Sequence, residues 1–217
     1  MGKLLIFGAT GGTGNAALRL ALVRGWDVTA FVRDPKKLEI PERSSVRIFK
    51  GDVMDAESVA EAVDGHDGVL VSLGGGTGQA FSRDTVCSEG TRNIVNAMQN
   101  FKAGSKRIVV ISSMGAGKSV EHTNRFVKWI LKYPLEDKNT QETIVKESGL
   151  EYVIVRPTGL TNGPSSAGAV VVDSDKEPVP FNQVSRNDVA LFALDQFTSS
   201  EYIGKAPGIC SGKEVSS

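Results

Sequence analysis

An α/β fold, a doubly wound parallel sheet with helices on both faces in a single domain, is predicted by three features of the sequence. Short apolar runs alternate with longer amphipathic stretches, the pattern of strands joined by helical crossovers. A glycine-rich turn, Gly8 to Gly14, separates the first apolar run from the first helical stretch. Glycine- and serine-rich loops follow several later runs, at what would be the carboxyl ends of parallel strands.

Residues 3–7, KLLIF, are too short for a helix and read as a buried strand. They lead into Gly8, Ala9, Thr10, Gly11, Gly12, Thr13 and Gly14, after which small apolar residues form a helix ending near Gly25. Strand, glycine turn and helix in that order make an anion site. The helix start offers unpaired N–H groups and a positive dipole end, and glycines let a pyrophosphate approach the backbone. The spacing of Gly8, Gly11 and Gly14 is GxxGxxG rather than GxGxxG. A purely structural turn is the alternative, because turns collect glycine.

Residues 27–32, DVTAFV, form a second strand, followed by Arg33, Asp34 and Lys37. In sheets of this kind the residue about twenty positions past the glycines meets the adenosine ribose, where an acid bonds the 2′-hydroxyl and an arginine accommodates a 2′-phosphate. Arg33 and Lys37 therefore favour NADP(H), through charge-assisted contacts. Asp34 points the other way, toward a ribose hydroxyl, and a solvated charge cluster is the bland reading.

A third strand over 46–49, a helix over 56–63 and a fourth strand over 69–73 follow, the last ending in Gly74 and further glycines at 75, 76 and 78. His66, isolated in a turn, is expected to be exposed. A helix over 83–101 carries Val86, Ile94, Val95 and Met98 on its apolar side, with Cys87 as core packing. A strand over 106–111 ends in Ser112 and Ser113. The run Gly117-Lys118-Ser119 imitates the tail of a P-loop, but position 112, where that motif needs its first glycine, is serine. Helices over 123–133 and 137–148, separated by Pro134, present Phe126, Val127, Ile130 and Leu131 to the core. A sixth strand over 151–155 closes with Arg156, Pro157 and Thr158. Residues 159–168 are rich in Gly, Ser, Thr, Asn and Pro and read as a mobile loop at a ligand mouth. That substrate-side region extends to 182, with small strands over 170–172 and 179–181. A helix over 187–197 and a strand over 207–210 finish the pattern.

Composition bounds the function classes. The 217 residues carry 25 basic and 25 acidic side chains, a neutral balance with no basic run to suggest a nucleic-acid surface. No apolar run reaches membrane-spanning length, and the first apolar residues belong to a strand, so neither a membrane segment nor a signal peptide is expected. Position 6 is Ile where N-myristoylation of Gly2 would want Ser or Thr. Cys87 and Cys210 form no CxxC, so no disulfide framework or metal site is expected, and the chain reads as a reduced, cytoplasmic protein.

Five signals fall in one order: GATGGTG after the first strand, VRD after the second, GDV after the third, SS after the fifth and RPTG after the sixth. This order resembles the atypical short-chain dehydrogenase/reductases, whose fold is Rossmann-like, from Lys3 to about Phe197. Within them it is similar to the NmrA-like and biliverdin-IXβ reductase (flavin reductase) branch, on the stretches SEGTRNIVNAM and ESGLEYVIVRP. The resemblance implies that Gly8, Thr10, Gly11, Gly12, Thr13 and Gly14 cradle a pyrophosphate, and that Arg33 and Lys37 meet the 2′-phosphate. It implies that Asp52 and Val53 flank the adenine, and that Leu73 and Gly74 line the adenosine side. It places Ser113 beside the nicotinamide with Ser112 next to it, the two candidate catalytic residues, and Pro157 and Thr158 behind the ring.

The departure is the YxxxK pair of typical dehydrogenases, in which lysine lowers the tyrosine pKa for proton exchange with an alcohol. Four places before Lys138 stands Pro134, and Tyr133 is one place off. A one-residue slip turns a helical side chain by about 100°. Reduction of a planar conjugated acceptor (a flavin, a biliverdin-like tetrapyrrole or a quinone-like dye) fits better, because it needs hydride from NADPH and a proton from water. About 60 residues follow the sixth strand, too few for a large substrate cap, so an open site on a monomer is expected. A non-catalytic NADP(H) sensor of the NmrA-like type and a sugar or isoflavone-type reductase or epimerase are the alternatives.

Overall fold

The computed structural model describes residues 2–40, 44–74, 84–100, 107–122, 132–163, 169–180 and 182–212. In chain order the elements are β1 Lys3–Phe7, α1 Gly12–Val23, β2 Asp27–Val32, β3 Val46–Lys50, α2 Ala56–Val63, β4 Gly68–Val71, α3 Val86–Asn100 and β5 Arg107–Ile111. There follow α4 Lys132–Lys146, β6 Glu151–Pro157, β7 Gly159–Thr161, β8 Ala169–Val172, β9 Gln183–Ser185, α5 Arg186–Asp195 and β10 Gly208–Ser211. Eight strands make one sheet in the order β3-β2-β1-β4-β5-β6-β10-β8, and β7 pairs with β9 beside it. Strands β1 to β6 and β10 pair in parallel, whereas β8 at the edge runs antiparallel to β10.

The strands read as continuous apolar runs because both faces are covered. Their alternate residues feed two cores. Leu4, Ile6, Val28 and Ala30 face α1 and α5 in one, while Leu5, Phe7, Val69 and Val71 face α2 and α3 in the other. Arg24, the C-cap of α1, pairs with Asp195 at 2.7 Å, tying the first helix to the last. The strand order reverses between β1 and β4, and ligands of open α/β sheets bind at the carboxyl ends beside such a reversal. Among the described residues no helix is long and apolar enough to cross a membrane.

Four expectations change. Pro134 lies inside a helix rather than ahead of one: α4 already runs at Lys132 and carries Pro134 near its start, where proline is tolerated because a first-turn N–H has no helical partner; residues 123–131 of the helix expected before it lie outside the described residues. Residues 159–161 are strand β7 rather than loop, held by β9; residues 164–168, the core positions 126, 127, 130 and 131 and the glycines at 75–78 lie outside the described residues. The short strand anticipated over 179–181 is instead β9, at Gln183–Ser185.

The fourth change is His66, which is 8% exposed rather than solvated. Its Nε2 lies 2.8 Å from Thr29 Oγ1 and its Nδ1 3.1 Å from the Asp64 carbonyl. Burial pushes its pKa below the ordinary value, against the backbone bonds that oppose the shift. The folded state thus favours neutral imidazole, while the unfolded chain takes up a proton below its own pKa of about 6.5. Its contribution is complete above that value and is lost as pH falls toward the depressed folded pKa. Chemical denaturation at pH 7.5 and 5.5 is expected to reveal a loss in the wild type that shrinks in His66→Gln. An equal loss in both would remove His66 as the cause.

Candidate cofactor site

A cavity of about 750 Å³ opens at the carboxyl ends of β1, β2, β4 and β5. Its floor is the glycine turn. Gly8 has φ +81°, a conformation L side chains rarely adopt, and a Cβ there would collide with the Ser72 carbonyl oxygen. Gly14 is needed for close approach instead: a Cβ on it would run into the Gly8 carbonyl oxygen, so α1 could not seat on the turn. Gly11 is the N-cap of α1 and provides no side-chain cap, which leaves the first N–H groups for an anion. Gly8, Thr10, Gly11, Gly12 and Thr13 line the cavity, while Gly14 is buried behind them.

At the β2 side, Arg33 lines the cavity and is exposed. Asp34 does not line it: its carboxylate caps the short helical turn Pro35–Lys37, accepting from the Lys36 N–H at 3.1 Å. Lys37 sits exposed in that turn, away from the lining. Val53, Leu73 and Gly74 line the cavity. Asp52 is exposed and does not, its carboxylate accepting from the Met54 N–H at 3.0 Å.

At the other end, Ser112 and Ser113 both line the cavity, in different states. Ser113 is half-buried, with its Oγ 3.1 Å from the Met114 carbonyl. Ser112 is buried and donates to Glu142 Oε1 at 2.8 Å. Glu142 in turn receives Arg156, through Nε at 2.9 Å and a second guanidinium nitrogen at 2.6 Å, and Lys146 at 3.1 Å. Burial pushes the Glu142 carboxyl up, yet the Arg156 bonds and charge outweigh it and hold its pKa below the usual carboxylate range. The arginine of the RPT segment is therefore a core residue. Pro157 is buried behind the cavity, its carbonyl accepting from the Met114 N–H at 2.9 Å. The Thr158 N–H donates to the Ile209 carbonyl at 3.0 Å, and neither residue is among the lining.

Lys138 has a fixed job. Its Nζ donates to the carbonyls of Leu73 at 2.8 Å and Ile111 at 2.9 Å, and to Gln141 Oε1 at 2.9 Å. An ammonium has three N–H donors, so all are spent. Its neighbour Asp137 accepts the N–H groups of Cys87 and Ser88, each at 3.0 Å, at the start of α3. Together they sew α4 onto the ends of β4 and β5 and onto α3. Cys87 is buried, and burial raises its pKa, so it is not a reactive thiolate.

Several lining residues are not anticipated from the sequence, chiefly Arg186, Leu160, Asp137 and Phe31. Leu160 hides in the stretch that reads as a loop. Arg186 has a legible signal, because a cation in the first turn of a helix opposes the helix dipole.

Over residues 8–200 the sequence matches the NAD(P)H-binding family. An uncharacterised chloroplastic protein of Arabidopsis thaliana is 31% identical over 98% of this chain and 78% of its own length. Among solved structures, the anaerobillin reductase ChuY of Escherichia coli O157:H7 superposes with a TM-score of 0.82 at 24% identity, covering 99% of this chain and all (100%) of that one. A putative NADH-flavin reductase of Streptococcus pneumoniae gives 0.76 at 18% identity, covering 97% of this chain and 100% of its own. At such identities the likeness is one of fold. The glycine cradle at the strand-order reversal and the match over nearly the whole length make the chain a member of the NAD(P)H-binding family, with a Rossmann-like fold.

Proposed function

We propose that the protein is an NADPH-dependent reductase that passes hydride to a planar conjugated acceptor, a flavin or a biliverdin-like tetrapyrrole. The observation that carries this reading is Lys138, whose three donors are committed to two backbone carbonyls and Gln141. It has no donor left for a tyrosine hydroxyl or a coenzyme ribose, and the place four before it is Pro134, so the tyrosine–lysine pair of alcohol dehydrogenation is not assembled among the described residues. A conjugated acceptor dispenses with that pair: it gains a hydride, and water supplies the proton. NADPH, when bound, supplies the hydride. The chain's own residues bind and orient: Gly8 and Gly14 let the turn fold tightly under the start of α1, whose free N–H groups hold the pyrophosphate, Arg33 meets the 2′-phosphate, and Ser113 faces the nicotinamide end. The names of two structural neighbours, a bilin and a flavin reductase, support the same acceptor class. The reading includes a cytoplasmic monomer whose partner is a small molecule, quinone-like dyes among its acceptors.

The committed lysine equally favours a second reading, an NADP(H) sensor without turnover. One assay separates them. NADPH absorbance is expected to fall on addition of FMN, riboflavin or biliverdin, with large differences in KM. A protein that binds NADPH tightly yet turns over none of these, nor a quinone dye, is the sensor instead.

A further inference from the structure

We propose that Arg186 is a pyrophosphate ligand, a guanidinium supplied by the last helix that closes over the glycine turn of the first. This rests on the dinucleotide reading above and adds to it a residue from the far end of the chain.

Strand β9 feeds directly into α5, and Ser185 fixes the join. Its Oγ accepts the Asn187 N–H at 3.1 Å and donates to the Gly163 carbonyl at 3.0 Å. Arg186 is therefore the first helical residue, beside the cavity it lines. Its Cδ and Nε stand 2.7 Å from where a Cβ on Gly12 would be. Gly12 is not among the glycines with positive φ, so the backbone does not require glycine there. The missing side chain leaves room for the guanidinium across the N-terminus of α1.

Electrostatics set the ligand. Two helix starts, those of α1 and α5, bring their positive dipole ends toward this spot, and a cation among them is unfavourable without an anion. A carboxylate does stand in the first turn of α5, Asp188, but it is buried at 4% exposure, whereas Arg186 lines the cavity. Arg186 forms no salt bridge among the described residues, and its hydrogen bond goes to the neutral amide oxygen of Asn162 at 2.7 Å. The two acids that line the cavity are spent elsewhere. Asp84 accepts from the Val86 N–H at 3.1 Å, and Asp137 accepts from Cys87 and Ser88. A guanidinium fork over free helix N–H groups matches a doubly charged diphosphate. Because Arg33 lies on β2's side of the cavity, the two arginines would read different groups. Arg33 meets the 2′-phosphate that only NADPH carries, and Arg186 meets the diphosphate that NADPH and NADH share.

Calorimetric titration of NADPH and NADH into the wild type, Arg186→Gln, Arg186→Lys and Asn162→Ala tests this, with thermal melting of each free protein. Arg186→Gln is expected to weaken both nucleotides by a similar factor, roughly ten- to a hundredfold, the usual cost of a charge-assisted contact. Arg186→Lys recovers part of the loss, and Asn162→Ala stays within about threefold of wild type. If only NADPH weakens, Arg186 serves the 2′-phosphate and the proposal falls. If Asn162→Ala reproduces the loss, the arginine acts by holding that segment, and the proposal falls as well. Unchanged affinities in both Arg186 variants overturn it directly; should the Gln variant fail to fold, the Lys variant decides, since a point charge must bind the diphosphate more weakly than the fork. A wild type that binds neither nucleotide overturns the dinucleotide reading itself, a distinct result.

Discussion

Glu142→Ala is expected to destabilise the protein by about 3–5 kcal/mol, the usual cost of removing one partner of a buried ion pair. The pair is deep in the fold, with Arg156 fully buried at 0% and Glu142 at 1% side-chain exposure. The alanine leaves a guanidinium in the interior with Asp175, 2.5 Å away and 34% exposed, as its remaining carboxylate. It also strands the Ser112 hydroxyl, which donates to Glu142 at 2.8 Å. The cost comes from a buried guanidinium left with only the partly exposed Asp175, rather than from the worth of the pair, so replacing both Glu142 and Arg156 with apolar residues of similar volume should cost less than Glu142→Ala alone. Urea unfolding of the three proteins measures this. A loss below about 1 kcal/mol in Glu142→Ala would mean that water reaches Arg156 and that the pair is not a core element.

Arg33→Ala is expected to weaken NADPH binding roughly ten- to a hundredfold and to leave NADH nearly unchanged. Arg33 is the basic residue of its segment that lines the cavity, since Lys37 lies outside the lining. Asp34, the residue that would have favoured NADH, uses its carboxylate to cap the turn at Pro35–Lys37. Lys37→Ala should therefore have a small effect beside Arg33→Ala. Calorimetry on the two variants with both coenzymes decides it, and equal wild-type affinity for NADPH and NADH would refute the assignment of Arg33 to the 2′-phosphate.

The legible regions of the fold are those set by neighbours in the chain. Strand β1, its glycine turn and α1 follow from an apolar run, a left-handed position and a run of small helix formers, all within the first 23 residues. The start of α4 departs from its sequence expectation for a local reason too: proline reads as a breaker, although it stands in a first turn that has no N–H bond to lose. Within the candidate site, Gly8 and Arg33 are visible because the glycine turn and its flanking charge sit next to the first two strands.

Local sequence is enough to set the order of strands and helices, the place of the glycine cradle at the carboxyl edge and the arginine beside it, because each depends on periodicity or on a backbone conformation within a few residues. Four other features needed the packed fold: His66 buried against Thr29, Lys138 bound to the ends of β4 and β5, Glu142 facing Arg156, and Arg186 lying over Gly12. Each of these pairs joins residues from different elements, and such a meeting is fixed by how the helices pack on the sheet. The same lysine or arginine with other neighbours would be a catalytic group or a solvated one, so its chemistry is a property of the fold.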